Sequence, residues 1–311
     1  MPDVPPGPRP AYSRESTVLR LTGAPTLGDL SPEWAWGGAT GRGVRVAVID
    51  SGVEADHAAL EGCVDVAGGI AVRMDPSGAT IDDPGPHADD FGHGTACAGI
   101  IHSLAPEARI TSVKVLGAGL SGKAAAFLRG LAWAIEAGFD VINLSLGTSR
   151  REWALPFYEL CDRAYFRGSL VVTAANNVAG PSFPSMFAAV VSVACNLSED
   201  PFHFHFNPDP PTEFLARGIN VDVAWRGNTR AISTGNSFAA PHIAGIAALI
   251  RSKHRDLRPF QVKTVLWGTA SNVLLARENA IPGRLSRIIR PGTLSIRATT
   301  ALRMPEGSRT S

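Results

Sequence analysis

The chain carries little charge and no long apolar run. Of its 311 residues 18% are charged, and the formal net charge is +1 at pH 7. A nearly neutral chain has no electrostatic basis for binding nucleic acid or an anionic membrane surface. The apolar stretch that begins at Phe238 stops at Arg251, which is too short to cross a bilayer. We therefore expect neither a nucleic-acid partner nor a membrane.

Cysteine is also scarce. The four cysteines are spread along the chain with no CxxC pair, so they predict neither a disulfide framework nor a zinc site; they are Cys63, Cys97, Cys161 and Cys195. The Pro-rich start, MPDVPPGP, lacks the apolar core of a secretory signal. These absences predict a cytoplasmic protein with free thiols.

Strand-like and helix-like segments alternate through most of the chain. Apolar, β-branched runs predict strands at 44–50, 108–116, 141–147, 169–175 and 190–194, and helices are predicted from 96 onward and at 124–137, 153–167 and 238–250. The alternation predicts an α/β fold, with a three-layer, doubly wound, mostly parallel sheet and helices on both faces. Residues 63–92 contain Gly, Pro and Asp breakers and are predicted to be loops.

Composition divides the chain into three parts. Residues 1–40 are rich in Pro and Gly and predict an N-terminal arm. Residues 41–270 hold the alternating elements and predict one domain of sufficient size for a large core. Residues 271–311 form a C-terminal extension to which the sequence assigns no role.

A polar stretch, STGNSFAAPH at residues 233–242, leads into a run without charged residues that ends at Ile250. Its many small residues predict a helix buried on all sides, with Pro241 in the first turn. Ser237 then lies at the positive end of the helix dipole, beside N–H groups that lack intrahelical partners. Two interpretations are open: Ser237 is an N-cap, or it is a nucleophile that needs a base and an acid elsewhere.

Three further residues lie where such partners are expected. Asp50 ends the first predicted strand, at the edge where open α/β sheets place their chemistry. His93 lies between two glycines at the start of a small-residue helix, and Asn177 follows the fourth predicted strand. Asp50 could also be a turn residue and His93 a packed one. The order Asp, His, Ser is nonetheless that of a subtilisin-type triad.

On these residues the chain resembles the subtilisin-like serine proteases. Four stretches carry the resemblance: VIDSG at 48–52, GHGT at 92–95, INLSLG at 142–147 and GNSFAAPH at 235–242. The first, second and fourth resemble the family's aspartate, histidine and serine motifs, and the third its cleft-lining strand. The similarity runs from about residue 41 to about residue 269, so the resemblance implies that residues 41–270 are a catalytic domain.

The resemblance implies a role for each matching residue. Ser237 would be the nucleophile, His93 the general base and then acid, and Asp50 the carboxylate that orients the base. Asn177 aligns with the oxyanion donor, although Asn176 stands where the family has Gly. The substrate cleft is assigned to Ser145, Leu146, Gly147 and Ser182.

One departure from the general family pattern and one match to a branch of the family lie close to this chemistry. Asn236, directly before Ser237, stands where the family usually has Thr. Cys97 matches a branch of the family with a free cysteine beneath the catalytic histidine, so we expect mercurial compounds to inhibit the enzyme.

No metal or other cofactor is expected. Ala59 falls where the family's tight calcium site has an Asp, and residues 101–106 are too few for the loop that completes that site. Calcium needs six or more oxygen ligands, so we expect no binding there. His203 and His205 could share a metal ion, but no third ligand is apparent.

The implied function is serine endopeptidase activity, with peptide bonds of a peptide or protein substrate hydrolysed through an acyl-enzyme. About 40 residues precede the matching region, too few for the family's folding pro-domain, which together with the free thiols predicts an intracellular protease. The modest size and the lack of a secretion signal favour a processing role. General degradation is left open, as is the oligomeric state. The alternative is a catalytically weak or inactive peptide-binding relative. A nucleotide-binding protein is disfavoured because no Walker or GxGxxG motif follows the first strand.

Overall fold

The computed structural model describes residues 27–280, apart from residues 86 and 179. Parts of the predicted arm (1–40) and of the predicted extension (271–311) lie outside these residues, and the domain boundaries stay predictions.

Nine strands form one sheet and two more form a separate antiparallel hairpin. The strands are β1 (Arg45–Asp50), β2 (Ile70–Met74), β3 (Thr80–Pro84), β4 (Arg109–Lys114), β5 (Val141–Leu144), β6 (Leu170–Ala174), β7 (Val191–Asn196), β8 (His205–Phe206), β9 (Phe214–Arg217), β10 (Val221–Trp225) and β11 (Thr229–Ser233). The sheet order is β3-β2-β4-β1-β5-β6-β7-β9-β8. Its inner pairs are parallel, and only the edge strands β3 and β8 pair antiparallel.

Helices cover both faces of the sheet, which confirms the predicted three-layer α/β fold. The helices are α1 (Pro32–Trp36), α2 (His93–Leu104), α3 (Ala124–Glu136), α4 (Ala154–Arg167), α5 (Asn236–Lys253), α6 (Pro259–Thr269) and α7 (Ser271–Ala280).

The central strand β1 shows why both faces must be covered. Val46 and Val48 belong to the core formed with α2 and α5, whereas Ala47 and Ile49 belong to the core formed with α3 and α4. Successive side chains of a strand point to opposite faces, and all four are at most 1% exposed. The carboxyl end of β1 therefore meets the starts of α2 and α5 at one edge of the sheet.

The structure corrects three local predictions. Residues 63–92, predicted to be loops, contain the antiparallel pair β2–β3. The strand predicted over 141–147 ends at Leu144, so the residues that follow leave the sheet. Pro241 is the sixth residue of α5, beyond the first turn, and it leaves the carbonyl of Ser237 without its usual helical donor because proline has no N–H.

Candidate active site

Asp50 is the last residue of β1, at the carboxyl edge of the parallel strands. Its side chain is fully buried, and its Oδ1 accepts a hydrogen bond of 2.8 Å from the backbone N–H of Ser51. A buried carboxylate is stable only when it is paired and hydrogen-bonded, so this residue requires a donor on the opposite side.

That donor is His93, the first residue of α2. Its Nδ1 lies 2.9 Å from both carboxylate oxygens of Asp50. Because a carboxylate can only accept hydrogen bonds, Nδ1 of His93 carries the proton, and Nε2 of the neutral ring presents a lone pair. The ring also packs against Phe238, with 5.2 Å between ring centroids. His93 is therefore held in the tautomer and orientation of a general base.

Two opposing effects act on the pKa of His93. Burial lowers it, because the charged imidazolium loses hydration, and the Asp50 carboxylate raises it. The carboxylate prevails, so the pKa of His93 lies well above its ordinary value of 6.5. His93 consequently binds a proton more strongly than a free histidine.

Ser237 is the second residue of α5, so its backbone N–H has no partner within the helix. Cys97 links it to the Asp50–His93 pair, because the Sγ atom lies 3.9 Å from Asp50 Oδ2, 3.9 Å from His93 Nδ1 and 3.6 Å from the carbonyl oxygen of Ser237. In the described part of the chain no hydrogen bond joins His93 Nε2 to Ser237 Oγ, a bond that is often long before substrate binds. The structure thus brings Asp50, His93 and Ser237 together around one buried thiol.

The amide of Asn177 has a defined orientation. Its Oδ1 accepts a hydrogen bond of 2.9 Å from the backbone N–H of Asn236, which leaves the Nδ2 group as the free donor. A Cβ built on Gly235 would lie 3.7 Å from this Nδ2 and 3.3 Å from Ser237 Oγ. The absence of a side chain at Gly235 keeps the space beside the hydroxyl and the amide donor open.

A cleft of about 250 Å³ adjoins Ser237, and all four residues predicted to form the substrate cleft line it, together with Asn177. Its two walls are joined by hydrogen bonds between Thr148 and Phe183, of 3.0 and 2.9 Å. Gly147 is required at this point, since a Cβ there would lie 2.9 Å from the carbonyl oxygen of Phe183 and 2.8 Å from Ser182 Oγ. Gly147 is thereby placed directly beside Ser182.

Asp89 is a buried residue of this site that the sequence analysis missed. Its Oδ1 accepts from Ser51 Oγ and from the N–H groups of Phe91 and Gly92, and its Oδ2 accepts from the N–H and hydroxyl of Thr95. The carboxylate satisfies free N–H groups at the start of α2 and ties them to the residue after Asp50. The residue directly before α2, where a capping side chain is expected, is Gly92, so the sequence carries no ordinary capping signal that points to Asp89.

The residues at the family's calcium position do not fit calcium. Ala59 offers no side-chain ligand, and α2 continues unbroken to Leu104. The adjacent cavity of about 410 Å³ is lined by two carboxylates, Glu61 and Asp222, and by Arg217 and Arg230, and Asp222 is paired with Arg230. Two carboxylates, one of them neutralised by an arginine, are far fewer than the six or more oxygen ligands that calcium needs.

Other potential metal ligands are few in the described residues. Among these residues, one cluster brings three potential metal ligands together: Asp50, His93 and Cys97. Asp50 and His93 are already bonded to each other in this cluster. His203 and His205 face each other with 2.9 Å between their Nε2 atoms, and the second bond of His203 is to the hydroxyl of Ser271. Within residues 27–280, excluding 86 and 179, no helix is long and apolar enough to span a membrane.

Known proteins share the sequence pattern and the fold of this chain. The sequence model of the subtilase family matches residues 41–287. Subtilisin DY of Bacillus licheniformis is 32% identical over 251 residues, which cover 76% of this chain and 86% of that protein. The crystal structure of a cold adapted subtilisin-like serine proteinase has a TM-score of 0.60 at 24% identity, covering 76% of this chain and 87% of that one.

A second solved structure is that of a lanthipeptide protease. It is 27% identical with a TM-score of 0.58, and the match covers 70% of this chain and 77% of that one. The family match over most of the chain and the shared fold lead to one conclusion: the protein belongs to the subtilase family and is a serine endopeptidase.

Proposed function

We propose that Asp50, His93 and Ser237 form the catalytic triad and that Asn177 donates to the oxyanion, in an intracellular protease that matures a peptide or protein precursor. The observation that carries the triad is the contact of His93 Nδ1 with both oxygens of the buried Asp50, at 2.9 Å each. This contact directs the basic Nε2 atom away from the carboxylate, which is the arrangement that activates a serine hydroxyl.

The proposed reaction follows from these positions. His93 Nε2 takes the hydroxyl proton as Ser237 Oγ attacks the scissile carbonyl, and the resulting imidazolium is stabilised by Asp50. Negative charge on the carbonyl oxygen is stabilised by hydrogen bonds from Asn177 Nδ2 and from the backbone N–H of Ser237, which has no partner within the helix. His93 then donates the proton to the leaving amine, and water releases the acyl group in the reverse sequence.

The cleft is suited to an extended peptide. Because β5 ends at Leu144, the peptide groups of residues 145–147 are no longer bound in the sheet and are available to an added strand. The cleft, of about 250 Å³, adjoins Ser237 and is also lined by Ser182, so a peptide bound along residues 145–147 would pass beside the proposed nucleophile.

Two observations support a processing role inside the cell. One of the solved structures with this fold is that of a lanthipeptide protease, a protease named for a class of peptide. All four cysteines are free in this structure, as is usual for proteins of a reducing compartment.

The processing role is tested by cleavage profiling. We expect the wild-type enzyme to cleave a small, related set of sequences in a peptide library and to leave unfolded casein largely intact, while Ser237→Ala cleaves neither. Rapid digestion of casein at many unrelated bonds would instead indicate general degradation. Folded wild-type enzyme without activity on any peptide would point to the binding-only alternative.

A further inference from the structure

The side chain of Asn236 is hydrogen-bonded through both its donor and its acceptor group. Its Nδ2 donates to the carbonyl oxygens of Ala175 and Asn176, at 3.2 and 3.1 Å, and its Oδ1 accepts from the N–H of Cys195 at 2.9 Å. With the backbone bond to Asn177, this one residue makes four hydrogen bonds, three of them to the segment 175–177. It connects the first turn of α5 to the ends of β6 and β7.

The segment that carries Asn177 has little other support. Asn176, Asn177 and Val178 are exposed, and Val178 is 71% exposed. Among the described residues, the other bonds of 175–178 are from Ala175 N–H to the carbonyl of Val193 and from Val178 N–H to Asn176 Oδ1, at 2.8 and 3.4 Å. Without Asn236, an exposed loop with few bonds would be free to change the position of the Asn177 amide.

We propose that Asn236 is a positioning residue, which fixes the Asn177 amide relative to Ser237 and so sets the stabilisation of the oxyanion. The inference rests on the proposed roles of Asn177 and Ser237. Asn236 is covalently bonded to Ser237 and hydrogen-bonded to Asn177, so it is the shortest connection between nucleophile and donor. An error of about 1 Å in such a position can cost about 10²-fold in rate.

The hydrogen-bonding groups explain why Asn stands here in place of the family's usual Thr. Two carbonyl oxygens and one N–H converge on this side chain, which demands two donors and one acceptor. The carboxamide of Asn supplies that set, whereas a Thr hydroxyl has one hydrogen to donate. In this chain, therefore, the more common residue is expected to work less well.

The test compares kcat, KM and melting temperature of single and double variants of the full chain with a peptide substrate. Asn177→Ala is expected to lower kcat by about 10²–10³-fold. Asn236→Ala is expected to lower kcat by about 10²-fold with little change in KM. The double variant should be no slower than Asn177→Ala, because Asn236 acts only through Asn177.

Three further variants separate positioning from stability. Asn236→Asp keeps the shape of the side chain and the acceptor for the N–H of Cys195, but it loses both donated bonds, so its kcat should fall. The kcat of Asn236→Thr should fall as well. Asn207 is the control: its Nδ2 donates to the carbonyls of Asp209 and Thr212 and its Oδ1 accepts from the N–H of Asp209, away from the cleft. Asn207→Ala should lower the melting temperature and leave kcat unchanged.

Each failure has a distinct signature. If Asn177→Ala kept full turnover, Asn177 would not be the oxyanion donor. Slow turnover of Asn177→Ala with normal kcat in the Asn236 variants would overturn the positioning role alone. Losses that multiply in the double variant would also overturn it, since a residue acting independently of Asn177 gives additive changes in activation free energy.

Discussion

At the scale of single residues, His93 combines a raised proton affinity with a proposed role that requires the neutral ring. In the proposed reaction only neutral imidazole can accept the proton of Ser237, and the Asp50 carboxylate raises the pKa of His93 well above 6.5 against the effect of burial. We therefore predict that kcat/KM rises with pH through a midpoint above 6.5. Asp50→Asn should move this midpoint to lower pH and reduce kcat by about 10⁴-fold.

The measurement is a pH profile of kcat/KM for both forms, with melting curves at each pH. The raised pKa has a stability consequence of definite sign: the folded protein gains from the Asp50–His93⁺ pair below pH 6.5, and this gain is lost as pH rises through the raised pKa. A wild-type midpoint below 6.5 would contradict the raised pKa of His93, and an unchanged midpoint in Asp50→Asn would contradict the assignment of His93 as the base.

Cys97 provides a second prediction at this scale. Its thiol is fully buried, burial raises the pKa of Cys97, and its sulfur touches all three proposed triad residues. Mercury bound to this sulfur would displace His93 or Ser237, so a mercurial reagent should abolish hydrolysis. Cys97→Ala should resist it.

The control is Cys161→Ala, which removes an equally buried thiol from α4, away from the triad. Cys161→Ala should be inhibited like wild type. Equal inhibition of the Cys97→Ala enzyme would place the sensitive thiol at Cys63 or Cys195, which are partly exposed.

At the scale of secondary structure, the start of α2 depends on a carboxylate that lies outside the helix. Asp89 is 7% exposed and accepts five hydrogen bonds, and its removal leaves buried donors unsatisfied at about 1–3 kcal/mol each. We predict that Asp89→Ala lowers the free energy of unfolding by about 3 kcal/mol or more and reduces kcat by displacing His93.

The matched control is Asp75→Ala in the exposed β2–β3 turn, where the carboxylate also accepts from a hydroxyl and a backbone N–H. The measurements are the free energy of unfolding in denaturant and kcat, for both variants. Asp75→Ala should retain wild-type kcat, and normal kcat in Asp89→Ala would show that α2 keeps His93 in place without the Asp89 carboxylate.

At the scale of the whole molecule, calcium is not expected to contribute to stability at the family's tight site. Ala59 has no side-chain ligand, and Arg217 and Arg230 line the neighbouring cavity. We predict no change in melting temperature between excess calcium and excess chelator. A calcium-dependent rise of several degrees would contradict this prediction.

The sequence predicted the parts of the molecule whose signals are local. Asp50 follows a continuous buried run, and Ser237 precedes a helix of small residues, so each could be placed without knowing its neighbours. The strand β3 was missed because it is a half-exposed edge strand of sequence TIDDP, which has the composition of a turn. Its carboxylates Asp82 and Asp83 are paired with Arg129 and Arg73.

The contacts that complete the site could not be read from the sequence because they are long-range. Asn236 binds partners 41 to 61 residues away in the chain, and only the packing of α5 against β6 and β7 brings them together. The resemblance to the family identified Asn236 as a departure, but not the carbonyl groups that its amide serves.

The central claim, that His93 and Asp50 activate Ser237 as a nucleophile, is tested most directly by a fluorophosphonate probe with mass-spectrometric mapping of the adduct. We expect folded wild-type protein to carry one adduct, on Ser237, and Ser237→Ala to carry none. Labelling of Asp50→Asn should be slowed strongly, because the base is no longer oriented. Folded wild-type protein that stays unlabelled, or an adduct on any other residue, would contradict the claim.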